Sequence, residues 1–81
     1  MKVEVTAPMS GVFYRKPGPD EPAYVEYGAT VDKKQVLGLL ETMKVFQKIK
    51  APAAGKIVGI AAENEATVSD GDLLFVIETG S

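Results

Sequence analysis

The 81-residue chain contains neither histidine nor cysteine. Their absence removes the commonest general base, the commonest metal ligand, thiolate chemistry and disulfides. Lysine remains for covalent work, as a compact amine nucleophile on a flexible stem whose charge acylation removes. Lys33, Lys34, Lys48, Lys50 and Lys56 read as ordinary solvated charges. Lys44 differs by its setting, Glu41-Thr42-Met43-Lys44-Val45. Two strand-like runs, 36–41 and 45–50, meet there. A tight hairpin favours Asn-Gly or Asp-Gly, because its central residues take positive φ. Met43 and Lys44 in such positions are expected to be strained by roughly 1–3 kcal/mol each, and a broken local rule marks a functional place. An exposed lysine on a rigid hairpin is a suitable post for a tethered group.

The rest of the composition narrows the function classes. Nine basic side chains against eleven acidic ones give a net charge of -2. No basic run interleaved with aromatics offers a surface for nucleic acid. Nothing reaches a membrane-spanning length, and Met1 to Thr6 lack the apolar core of a signal peptide. A soluble intracellular protein with no metal site and no catalytic residue of its own is expected. The start at Met1 directly on a strand-like segment, and the trailing Gly80-Ser81, suggest a domain taken from a longer chain.

The elements that must position Lys44 show as an internal repeat. Ala7-Pro8-Met9-Ser10-Gly11 resembles Ala51-Pro52-Ala53-Ala54-Gly55, displaced by 44 positions. Ala29-Thr30-Val31-Asp32 resembles Ala66-Thr67-Val68-Ser69, displaced by 37, and the match continues through Leu39-Leu40-Glu41-Thr42 against Val76-Ile77-Glu78-Thr79. The two halves read as copies of one unit, the first with an insertion between Gly11 and Ala29. Three prolines and a glycine within Tyr14-Arg15-Lys16-Pro17-Gly18-Pro19-Asp20-Glu21-Pro22 exclude regular structure there. Flanked by Val12-Phe13-Tyr14 and Ala23-Tyr24-Val25, the insertion is expected to stand out as a stiff thumb, about 14–24, on two anchored strands.

Each half reads as short strands, 2–6 alternating, 56–60 partly β-branched and 73–77 continuously apolar. Val36, Leu40 and Met43 would also fit a helical face, but the repeat mate of that segment, 72–78, has a strand composition. The expected fold is all-β. It is a single domain over 1–81, a flattened barrel or sandwich of two antiparallel four-stranded sheets. Pseudo-twofold symmetry, a protruding thumb and a hairpin at about 41–46 complete it.

These residues resemble the biotinyl carrier domain family. Its attachment motif, Glu-Ala-Met-Lys-Met followed by Ala-Pro and Gly, is matched by Glu41-Thr42-Met43-Lys44-Val45, Ala51-Pro52 and Gly55. Ser10 to Arg15, Pro17, Pro19 and Gly28 match the thumb region. Thr42 and Val45 depart from the usual Ala and Met. Glu-Thr before the lysine is also similar to lipoyl domains, which typically show Glu-Thr-Asp-Lys-Ala. Lys16 stands where the family more often has a small or neutral residue.

The resemblance implies biotin joined covalently to Lys44 by a biotin protein ligase that reads Met43 and its neighbours. It implies a thumb, Tyr14, Arg15, Lys16, Pro17, Gly18 and Pro19, that touches the biotin head group. It also implies a non-catalytic relay between a biotin carboxylase subunit and a carboxyltransferase subunit, in acetyl-CoA carboxylase and so in fatty acid biosynthesis. The compartment would be the cytoplasm, or the plastid stroma in a plant. A lipoyl carrier of a 2-oxo acid dehydrogenase and an unmodified regulatory mimic are the alternatives.

Overall fold

The computed structural model describes residues 1–43 and 45–80. Among them are eight strands: β1 (Lys2–Thr6), β2 (Gly11–Tyr14), β3 (Thr30–Val31), β4 (Val36–Glu41), β5 (Phe46–Lys50), β6 (Gly55–Ile60), β7 (Ala66–Val68) and β8 (Leu73–Glu78). They form two antiparallel four-stranded sheets, ordered β1-β8-β6-β3 and β5-β4-β2-β7. The chain is all-β, as its patterning predicts.

Replacing each strand of the first sheet by its repeat mate generates the order of the second. Burial follows the same symmetry, since β1 and β5 share one inside–outside pattern and β4 and β8 share another. A register shift between Val5 and Thr6 in β1 is matched by one between Val36 and Gly38 in the β4–β5 pairing. Each sheet draws two strands from each half. Neither half can therefore complete its hydrogen-bond ladder alone, and the halves must fold as one unit.

The core makes the symmetry quantitative. Val5 and Ile49, Ala7 and Ala51, and Phe13 and Ile57 are buried mates at the displacement of 44. Val25 and Ala62, Val31 and Val68, Leu37 and Leu74, and Leu40 and Ile77 are buried mates at 37. Phe75 alone among the core residues lacks an apolar side chain opposite, because its mate is Gly38. The ring of Phe13, set edge-on to Phe75 at 5.6 Å, fills that space. A Cβ on Gly38 would lie 2.6 Å from Phe13 Cε1. One half thus uses Phe with Gly where the other uses Ile with Phe, which conserves volume across the core.

Positive φ angles obey the repeat as well. Gly28 (φ 89°) is the mate of Glu65 (68°), and Lys34 (73°) is the mate of Gly71 (89°). Among the described residues these left-handed turns, with a glycine in only one copy of each, carry the local strain. The strain expected at the 41–46 hairpin is not found at Met43, which has no positive φ. Lys44, the other residue of that expectation, lies outside the described residues.

The insertion leaves β2 after Tyr14, which is itself the last residue of that strand. The Tyr24 N–H donates to the Arg15 carbonyl at 2.9 Å and the Glu21 N–H to that of Gly18 at 3.2 Å, closing a compact protrusion. Its exit is not a strand: residues 23–25 have no ladder partner, and the buried Val25 side chain holds them instead. Replacing 16–23 by a short Asp-Gly turn should leave a cooperatively folding domain, because the second half shows the unit without insertion. Calorimetry of the trimmed chain checks this, and a broad transition would make the thumb structural.

Candidate functional site

The pairing of Glu41 with Phe46 ends the β4–β5 ladder. Beyond it, the Thr42 N–H and hydroxyl both donate to the Val45 carbonyl, at 2.9 and 3.3 Å. The same two bonds recur at the repeat-equivalent point, from Thr79 to the Met1 carbonyl at 2.8 and 3.0 Å. The closure of the hairpin between residues 42 and 45 thus has its symmetry mate between residues 79 and 1. Met43 is 99% exposed, and Val45 and Phe46 are exposed beside it. Glu41, Thr42, Met43, Val45 and Phe46 line a shallow cleft of about 140 Å³.

Strand alternation sends Leu40 into the core and leaves Leu39 and Glu41 on the outer face. Tyr14, paired with Leu39, shares that face. Its hydroxyl donates to Glu41 Oε1 at 2.9 Å, and its ring lies 6.1 Å from the Phe46 ring. The hydrogen bond to Glu41 raises the Tyr14 pKa, helped by desolvation and by the charges of Glu41 and Glu65. A pKa raised in the folded state gives stability that is present below the ordinary tyrosine value of about 10. That contribution is lost as pH climbs through the folded value. The stability difference between the wild type and Tyr14→Phe is therefore expected to shrink above that value. Denaturation midpoints measured across the alkaline range would show it.

Between the thumb and this outer face lies a second, deeper crevice of about 360 Å³. Its apolar walls are Tyr14, Pro17, Pro19, Leu39 and Phe46. Its polar groups belong to Lys16, Asn64 and Glu65, with Gly18 completing the thumb side. Phe46 lines both openings, so the crevice adjoins the hairpin cleft. Five thumb residues singled out from the sequence, Tyr14, Lys16, Pro17, Gly18 and Pro19, thus meet here. Arg15 does not join them. Its Nη2 donates to the Val25 carbonyl and to Glu26 Oε1, both at 3.0 Å, and its N–H to Asn64 Oδ1 at 2.8 Å. It braces the thumb root.

Sequence reasoning missed Leu39, Phe46, Asn64 and Glu65. The period-two alternation of β4 and β5 could have placed Leu39 and Phe46 on the outer face. Nothing local connects Asn64 and Glu65 to the thumb, 49 residues from Arg15 in the chain.

Two interlocked half-units, with an apolar crevice running up to one hairpin, define a pseudo-twofold all-β domain. The chain belongs to the biotin- and lipoyl-type family described as biotin-requiring enzyme, whose model matches residues 3–77. It is 46% identical over 72 residues to the chloroplastic biotin carboxyl carrier protein of acetyl-CoA carboxylase from Glycine max. That match covers 89% of this chain and 28% of the relative. The biotin carboxyl carrier protein of acetyl-CoA carboxylase from Chlamydia trachomatis is 36% identical, covering 90% of this chain and 44% of the relative. The chain therefore spans well under two thirds of these relatives. The fold is shared with a single-chain, multi-domain long-chain acyl-CoA carboxylase, with a TM-score of 0.81 at 22% identity over 99% of this chain and 7% of the other. It is also shared with the urea carboxylase of Kluyveromyces lactis, with a TM-score of 0.79 at 23% identity over 96% and 6%. Among the described residues no helix is long and apolar enough to cross a membrane.

Proposed function

We propose that this chain is the biotin carrier domain of an acetyl-CoA carboxylase, with biotin joined by an amide to Lys44 Nζ. The observation that carries this reading is the crevice that starts at the hairpin holding residue 44. Its walls suit a small uncharged bicycle, because aromatic and prolyl surfaces flank an apolar ring while Asn64 offers a donor to a urea oxygen. When bound, biotin supplies a ureido nitrogen that accepts and gives up a carboxyl group.

The residues of this chain tether, cover and present. Thr42 and Val45 fix the base of the post, and Met43 stands open for a ligase to read. Tyr14 and Phe46 form the surface on which the head group can rest. Tethering raises its local concentration at a biotin carboxylase subunit, which spends ATP and bicarbonate, and then at a carboxyltransferase subunit that serves acetyl-CoA. The carrier itself breaks no bond. The cytoplasm, or the stroma if the source is a plant, is the compartment that goes with this role in fatty acid biosynthesis.

Incubation with a biotin protein ligase, ATP and biotin, followed by intact-mass analysis and peptide mapping, tests the proposal. One biotinyl group on the peptide containing Lys44 is expected. An unmodified mass, under conditions that load a control carrier, would overturn it, as would preferential lipoylation by a lipoyl ligase.

A further inference from the structure

Among the described residues that line the crevice Lys16 is the one cation, beside apolar Pro17, Pro19 and Phe46. Its ammonium donates to the Pro19 carbonyl at 3.5 Å, and among the described residues it forms no ion pair. Arg15, one position away, is paired with Glu26 and the Val25 carbonyl. The thumb thus spends one cation on its own bracing and leaves the next facing the crevice. Glu65 also lines that space, and its Oε2 accepts from Asn64 Nδ2 at 3.4 Å.

An uncharged urea head group has no need of an ammonium. The same head group carrying a carboxyl group is an anion, and a cation in a partly apolar crevice attracts it more than it would in open water. We infer that Lys16 makes the thumb crevice a charge-selective seat, holding the carboxylated carrier in preference to the empty one and slowing premature loss of carbon dioxide. This rests on the proposed attachment of biotin at Lys44. In that loss the bond from ureido nitrogen to carboxyl carbon breaks. Its electron pair stays with the nitrogen, water supplies a proton to that nitrogen and is left as hydroxide, and carbon dioxide leaves. Negative charge moves off the carboxylate as this happens, so an ammonium beside the carboxylate favours the state before cleavage.

The test uses the 81-residue chain loaded with biotin, with attachment verified by intact mass, then carboxylated by a biotin carboxylase with ATP and bicarbonate and freed of that enzyme. Lifetimes of the carboxylated form are compared for the wild type, Lys16→Met, which keeps the stem, and Lys16→Arg, which keeps the charge. Lys16→Met is expected to shorten the lifetime about three- to fivefold, the size of one partly screened ion pair. Lys16→Arg should restore it, and high salt should bring the wild type toward Lys16→Met. A second readout needs no kinetics: the Lys16 side-chain NMR signals should shift on carboxylation but little on biotin attachment alone. Equal lifetimes for wild type and Lys16→Met, or unmoved Lys16 signals, would overturn the inference. Failure of biotin attachment in the first step would instead overturn the proposed function.

Discussion

Lys44→Ala is expected to abolish biotin attachment outright, leaving a folded chain of unmodified mass that streptavidin does not detect. The other lysines should not substitute, because their backbones are committed to the sheets and turns. Lys48 and Lys50 lie in the ladder opposite Leu39 and Val36, and Lys56 lies opposite Thr30. Lys34 occupies a left-handed turn whose N–H donates to the Ala51 carbonyl at 2.8 Å. Residue 44, by contrast, follows the last ladder pair and precedes the Val45 carbonyl that Thr42 clamps. Lys44→Arg should be equally inactive, since a guanidinium keeps the charge but is not an acyl acceptor at neutral pH. Stability should change by no more than about 0.5 kcal/mol, as for most surface substitutions. Attachment to the Lys44→Ala chain, or a map that places biotin on Lys34 or Lys48, would refute the assignment.

Gly38→Ala should destabilise the domain by about 1–3 kcal/mol, the range of core overpacking. The new methyl would meet Phe13 Cε1 at 2.6 Å, Phe13 Cζ at 2.8 Å and the Tyr14 carbonyl at 2.9 Å. The ring cannot retreat, because it is fully buried against Phe75. Stabilities of roughly 0.05–0.15 kcal/mol per residue leave a domain this small little reserve. Phe13→Ala, which empties the same space, should cost about 3–5 kcal/mol. Combining Gly38→Ala with Phe13→Leu should restore part of the loss, because the two sites share one volume and their effects cannot add. Denaturant midpoints of the wild type, Gly38→Ala, Phe13→Leu and the double variant check the cycle. Strict additivity would show that Gly38 is not there to admit the Phe13 ring. Because Tyr14 follows Phe13, the strained variant should also shift the thumb root, visible in the Tyr14 and Phe46 NMR signals.

The halves of the chain declare their equivalence in sequence, at displacements of 44 and 37, and the strands, buried mates and left-handed turns all follow it. Alternation and β-branching suffice for that, since they act over a few residues. The Gly38–Phe75 exception was equally visible as letters. Its meaning appeared only when the Phe13 ring was seen in the gap. Strand order was not readable either. A repeat says which segments are alike, but it does not say that β1 pairs with β8 and β5 with β4. Those pairings join residues far apart in the chain and depend on how the two halves bury each other.

The site divides along the same line. Glu41-Thr42-Met43-Lys44-Val45 and the proline-rich insertion stood out locally, because their residue types conflict with regular strand structure. The expected strain at Met43 was absent, and among the described residues the left-handed ones lie at 28, 34, 65 and 71. The sequence by itself determined the all-β class, the doubled unit and the extra loop, and it singled out Lys44 for the proposed attachment, for each is a matter of composition or short-range spacing. Only the tertiary structure decided that the loop roofs the outer face of β4 and β5, and that Tyr14, Lys16 and Phe46 line one crevice while Arg15 turns away. A crevice is a space between elements, and spaces are set by packing across the whole core.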